Sequence, residues 1–425
     1  MSNYAATVVR IENLRKHENA DRLQCTNIFG NNVIVGLDTK VGDICLYFPM
    51  ESQLGQEFAE GNDLIRRKDE NGKPAGGMFD QNRRVRAQTL RGEKSMGFLA
   101  PMSYLTNVNP SVDLPKIGDE IETWGGYEIS KKYVVPQKER GVQGPSQKGK
   151  KKTQKSKIVD NQFHFHFDTS HLGKNTHRID SKSLISVTWK LHGTSFVTGN
   201  VLTTKKLKWY ERLLKKIGVN VVDTHYDYVY ASRKVIKGVE SNFEETRNAG
   251  GFYGYDLWGE VGKQKFFNKL HRGETVYGEI VGFTPSGSAI QKGYDYGCKQ
   301  GEYKVFIYRI TQTNVDGIVT ELPWHQVVHR AKEIGVETVP EIYYGNANMG
   351  GDVLMAQLQE GYVYDQDCQF CKNRVPAEGV VVRVEEGDGI TNYKLKSFRF
   401  AQHESKMMDT GESDMESEES QADEK

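Results

Sequence analysis

The sequence predicts an α+β protein, with a small β-barrel first and a larger domain of sheets and helices after it. Three observations carry that expectation. Residues 1–135 are rich in short β-type runs punctuated by Gly, Asn and Asp. A lysine-rich stretch then interrupts the pattern, and beyond it strands alternate with amphipathic helical segments.

Taken in order, Ala6-Thr7-Val8-Val9-Arg10-Ile11, Asn32-Val33-Ile34-Val35-Gly36 and Asp43-Ile44-Cys45-Leu46-Tyr47-Phe48 are predicted strands of the first domain. Within it Arg83, Arg84, Arg86, Arg91 and Lys94 are candidates for a basic groove. Residues 136–158 are predicted to be a linker, because six of the ten residues from Lys148 to Lys157 are lysines that repel one another. The third segment, 159–403, holds a basic amphipathic helix around Glu211–Ile217 and a second helix with Trp324, Val327, Val328 and Ala331 as its apolar stripe, ending near Gly335. Residues 404–425 carry nine acids and two basic residues, a net of −7 that leaves +8 on the rest of a chain whose total is +1, and are predicted to be a disordered tail. A basic body suits a polyanionic partner.

No run of about 18 apolar residues and no charged-then-apolar leader is present, so an intracellular protein, cytoplasmic or nuclear and without a membrane partner, is expected. Five cysteines do not make a disulfide framework. Cys368 and Cys371 have ligand spacing but no second pair, so two incidental thiols are the simpler reading. His164 and His166 alternate with Phe163, Phe165 and Phe167 and are read as part of a strand edge rather than a metal site.

The chemistry is concentrated in charged residues at strand ends. Lys190, in Trp189-Lys190-Leu191-His192-Gly193, lies between an apolar strand and a turn, where a lysine can act as a covalent nucleophile. Glu279 follows Gly278 inside an apolar run, Glu378 precedes Gly379 and a β-branched strand, and Lys394 and Lys396 alternate so as to share one strand face. Buried singly, such charges would be expensive. Together, two carboxylates can hold a divalent cation through water or accept ribose hydroxyls, and two lysines can grip phosphates. Nearby cations are also expected to favour the free amine of Lys190.

These segments resemble the motifs of the covalent nucleotidyltransferases: DNA ligases, RNA ligases and capping enzymes. Lys190-Leu191-His192-Gly193 resembles motif I, Ser232-Arg233-Lys234 motif Ia, Tyr277-Gly278-Glu279 motif III, Phe306-Ile307-Tyr308-Arg309 motif IIIa, Glu378-Gly379-Val380-Val381 motif IV and Tyr393-Lys394-Leu395-Lys396 motif V, in that order. The resemblance implies an ATP-grasp-like ligase domain of antiparallel sheets with helices, with ATP and Mg2+ or Mn2+ as cofactors. It further implies that Lys190 takes AMP, that Tyr308 stacks on adenine, that Glu279 holds ribose, and that Glu279 and Glu378 serve the metal through water. Lys394 and Lys396 would contact the α-phosphate and Arg233 the ribose or a polynucleotide end, with His192 and Gly193 completing the nucleotide site.

His192 stands where DNA ligases and capping enzymes usually have Asp, and only 29 residues follow Lys396, so an accessory OB domain is expected at the N terminus. His17-Glu18-Asn19-Ala20-Asp21-Arg22-Leu23 resembles the opening of such OB modules. The arrangement resembles the Deinococcus-type RNA ligases, which seal nicks in RNA-containing duplexes. A monomer joining 5′-phosphate and 3′-OH RNA ends is therefore expected, with a GTP-dependent capping-type guanylyltransferase or an inactive nucleic-acid-binding protein as alternatives. Many relatives have Glu before the lysine; this chain has Trp189.

Overall fold

The computed structural model describes residues 3–111, 113–136, 157–240, 256–387 and 389–410. The linker expected at 136–158 falls largely outside them.

The first domain is built almost wholly from antiparallel pairs. Ala6–Arg10 lies between Ile44–Phe48 and Glu120–Ile121, and Phe98–Pro101 completes this sheet of four. Arg15–Lys16, Leu23–Ile28 and Asn31–Gly36 form a second sheet. The expected barrel does not close among the described residues. Asn31–Gly36 meets Glu93–Met96 through side chains, Asn32 donating to the Lys94 carbonyl and Ser95 Oγ accepting from Ile34 N–H, rather than through a backbone ladder. Phe48, Phe58 and Phe98 pack in one apolar cluster, and Val33, Val35 and Tyr47 in another.

Two sheets make up the larger domain. In the five-stranded sheet, Gly379–Glu386 pairs on one side with Leu184–Lys190 and on the other with Gly389–Lys396, flanked by Glu341–Asn346 and Ser170–His171. One face follows the strand period of two: Ile185, Val187, Val380, Val382, Val384, Tyr393 and Leu395 pack in one core. The seven-stranded sheet is centred on Thr194–Thr204, Glu274–Gly282 and Tyr303–Thr313, backed by the helices Leu257–Phe266 and Trp324–Ile334. Trp324, Val327 and Ala331 are buried as expected, and Gly335 closes the helix at φ 80°. Leu191, His192 and Gly193 join the two sheets.

The helix Phe398–Asp409 crosses the boundary expected at 403/404, so the body extends past it. Residues 411–425 lie outside the described residues. Ser397 Oγ caps the helix by accepting the Phe400 N–H, while its own hydroxyl donates to the Ala377 carbonyl. Two of the expected groove residues also serve the fold instead. Arg84 is buried and donates to the Ser405 carbonyl at 3.0 Å, and Lys94 pairs with Asp365 at 2.8 Å beneath the Tyr364 ring. The segment with His164 and His166 is not a strand, and among the described residues no group of three or more His, Cys, Asp or Glu could hold a metal. No described helix is long and apolar enough to cross a membrane.

Candidate active site

All nine residues singled out from the sequence line one cleft between the two sheets. The register explains how. Gly379 lies directly opposite Lys190 on one neighbouring strand and opposite Lys396 on the other, while Val381 lies opposite Thr188 and Lys394. Ser186, Thr188, Lys190, Asn392, Lys394 and Lys396 therefore project from the face of the sheet that looks into the cleft. Gly379 has φ 140°, and a Cβ there would come within 2.0 Å of the Leu395 carbonyl. Only glycine allows the backbone to bring Glu378 alongside both lysines.

Lys190 Nζ lies 2.6 Å from Glu378 Oε1. Glu378 is buried, its backbone carbonyl accepts the Ser397 N–H, and its Oε2 has no hydrogen-bond partner. Burial would depress the lysine, but Glu378 and then Glu279 more than offset it, so its pKa rises. The free amine expected from neighbouring cations is thus not the resting state: the two carboxylates stand closer in effect than Lys396 does. Lys394 behaves in the opposite way. Burial, then Lys396 and Lys190, push it down to about 8.

Lys396 is held by two carboxylates that the sequence did not single out. Glu404 lies 2.9 Å away on the C-terminal helix, and Glu51 reaches in from the first domain to 3.4 Å. Against the depressing effect of burial, Glu404 and Glu51 raise the lysine well above its usual value. Despite burial, Lys396 and then Glu404 hold Glu51 below the usual carboxylate range, whereas burial and the charge of Glu51 push Glu404 up. Glu404 was hidden in a stretch read as tail, although Ser397 followed by an apolar run was a legible helix start. Glu51 carried no local signal.

The opposite wall comes from the seven-stranded sheet. Glu279 is paired in register with Ser195, and its Oε1 accepts the Gly193 N–H at 3.0 Å. A Cβ on Gly193 would sit 2.3 Å from the Ile280 carbonyl and 2.7 Å from Val281, so the turn is tight enough for glycine alone. His192 donates its backbone N–H to the Tyr296 hydroxyl at 2.6 Å, and its ring packs edge-on between Tyr294 and Phe400. Tyr277 pairs with Arg309 but Gly278 with Ile307, so Tyr308 is the extra residue of a β-bulge. Its ring meets His166 at 5.1 Å. Arg233 pairs with Asp168. Arg309 and Arg383, also on the cleft, share Glu321 at 2.6 and 3.0 Å. Trp189 packs edge-on against Tyr362 and Phe370 and supplies no carboxylate.

A lysine, two carboxylates, several further cations and an aromatic ring thus converge in the cleft. A family model described as RNA ligase matches residues 184–398. No curated protein matches the chain by sequence. Among solved structures the chain is similar to the Naegleria gruberi RNA ligase in a mutant with AMP and Mn, at 17% identity and TM-score 0.58, covering 94% of this chain and 99% of that one. An apo mutant of the same ligase gives 15% identity and TM-score 0.60 over 95% and 99%, and its form with PPi 15% and 0.58 over 95% and 99%. At such identities the likeness is one of fold. The family match spans half of the chain and runs from the strand that ends in Lys190 to the start of the helix after Lys396, and the chain belongs to the RNA ligase family.

Proposed function

We propose that the chain is an ATP-dependent RNA ligase that works through a lysyl-AMP intermediate and seals nicks in RNA-containing duplexes, as in the Deinococcus-type branch. The observation that carries this reading is Lys190 Nζ in contact with Glu378 in a cleft where Lys394 and Lys396 stand across the strands from it. Glu378 offers a buried oxygen with no hydrogen-bond partner, and Glu279 adds a second carboxylate. Such an all-oxygen donor set suits Mg2+ or Mn2+, which bind through one or two carboxylates, waters and substrate phosphates. A cation there would supply positive charge to the phosphates and cancel the carboxylate charge that keeps Lys190 protonated.

In the first step Lys190 Nζ, having lost its proton, attacks the α-phosphorus of ATP; the bond to pyrophosphate breaks and a phosphoramidate forms. Lys394 and Lys396 hold the α-phosphate, Tyr308 stacks on adenine, and Glu279 accepts from ribose. His192 and Gly193 keep the turn in place. The AMP next passes to a 5′-phosphate, and a 3′-OH then displaces AMP as the phosphodiester bond forms. Arg233 attends the ribose or the polynucleotide end. The first domain, read as an OB-type module over 1–135, holds the duplex by its phosphates, so binding weakens as salt rises. The catalytic unit is read as 159–403, extended by the helix to Asp409.

Incubation with α-labelled ATP and Mg2+, followed by denaturation, tests the reading. Wild type should retain the label and Lys190→Ala should not; label from GTP in preference to ATP would indicate a capping-type enzyme. Sealing of nicked duplexes with RNA or DNA on each side of the break then tests the substrate, and no sealing of any RNA-containing nick would sink the nick-sealing assignment.

A further inference from the structure

A helix far from the cleft is left without a role by this chemistry. Trp209–Lys216 lies on the connection between Thr194–Thr204 and Thr224–Ala231, and none of its residues is buried. Trp209, Leu213 and Ile217 follow one another at intervals of four, and they are 78%, 55% and 68% exposed. Tyr210 and Leu214 widen the same face. The other side carries Arg212, Lys215 and Lys216, and between 205 and 217 there are six basic residues and one acid. The helix is well formed: Glu211 accepts the Lys208 N–H at 2.7 Å and pairs with Lys205 at 3.0 Å.

We propose that this helix is a docking site for the surface of an anionic lipid bilayer. The apolar stripe carries the membrane contact, and the flanking lysines and Arg212 carry the attraction to anionic headgroups. A helix with Lys and Arg on one face and Trp and Leu on the other is the pattern that lies in the plane of a membrane interface. At eight residues it is too short to cross one. RNA would be matched by the cations and by Trp209, but it would leave Leu213, Leu214 and Ile217 against phosphates. The location also argues against RNA ends. The eleven-residue strand before the helix starts at the cleft and, at about 3.3 Å per residue, puts the helix about 30 Å away. Lys157, whose carbonyl accepts the Thr204 hydroxyl, adds a further cation at the foot of the same connection. Added positive charge near an amphipathic helix strengthens the preference for anionic lipid.

The test uses the full chain and sedimentation with vesicles, of phosphatidylcholine alone or with about 30% phosphatidylserine. Wild type should sediment with the anionic vesicles and stay soluble with the neutral ones. The double variant Trp209→Glu, Leu213→Glu should bind roughly tenfold or more weakly, since two apolar anchors are removed and two acids added. Its thermal midpoint and its labelling by ATP should match wild type, which separates this result from misfolding and from failure of the ligase reading. Absence of binding to the anionic vesicles would overturn the proposal, as would equal binding by the variant. So would an apolar face that only joins two copies, seen as a dimer in wild type that the variant lacks without vesicle binding by either. Loss of duplex RNA binding in the variant, with vesicles ignored, would assign the surface to RNA instead.

Discussion

Replacing Glu378 by Gln should lower the pKa of Lys190, because it removes the partner that keeps the amine charged. Unit charges 2.6 Å apart interact by about 6 kcal/mol at an effective dielectric of about 20 and by about 1.6 kcal/mol in water. The lysine side chain is 30% exposed, so solvent screening brings the lost attraction between these limits, to about 3 kcal/mol. Gln keeps the shape of the carboxylate, and Glu279 stays in place to limit the fall. The assay is competitive acylation across pH with mass spectrometry of the Lys190 peptide, without nucleotide or metal, so that it reads the amine and not turnover. Wild type should titrate above the ordinary lysine value and Glu378→Gln well below wild type. Adding Mg2+ or Mn2+ to wild type should move Lys190 in the same direction. An unchanged or higher pKa in the Gln variant would refute the account of how this lysine is held.

Four further outcomes are expected. Lys394 loses its proton near pH 8, so ATP affinity should fall above that pH, by up to about tenfold per unit until the pKa of the bound state is reached; Lys394→Arg, charged throughout, should flatten the profile. By the same linkage the unfolded chain binds more protons than the folded one between pH 8 and the ordinary lysine value. Stability to urea should therefore rise with pH across that window in wild type and less so in Lys394→Met. Tyr308→Ala should weaken ATP binding by about 1–3 kcal/mol, measured by titration calorimetry, whereas Tyr308→Phe should bind nearly as wild type; equal losses in both would argue against stacking. Gly193→Ala puts a methyl carbon 2.3 Å from the Ile280 carbonyl and should cost about 3 kcal/mol in thermal unfolding together with most of the ATP labelling, and a stable, fully labelled variant would show that the turn is not as tight as described.

The residues of the cleft were legible because each is an exception to a local pattern. Lys190, Glu279, Glu378, Lys394 and Lys396 are charges at positions where an apolar strand would not place them, and Gly193 and Gly379 stand where no side chain fits. Glu51 and Glu404 were not legible. Glu51 is separated from Lys396 by 345 residues, and nothing in Met50-Glu51-Ser52 points to a lysine on another domain. Arg84 was read as part of a basic groove because its neighbours are basic; its burial against the C-terminal helix depends on how two distant segments pack.

By itself the sequence determined the α+β pattern, the strands and helices that bear the motifs, and which charged groups would need one another. Alternation along a strand is a local property, and an unpaired charge in an apolar run is costly wherever that strand is placed. Only the tertiary structure decided the direction in which Lys190 is shifted, the bulge at Tyr308, the strand pairing around Asn31–Gly36 and the two-carboxylate hold on Lys396. Each of these depends on distances of a few ångströms between residues far apart in the chain. Coulombic and desolvation energies change steeply over such distances, and sequence spacing does not encode them.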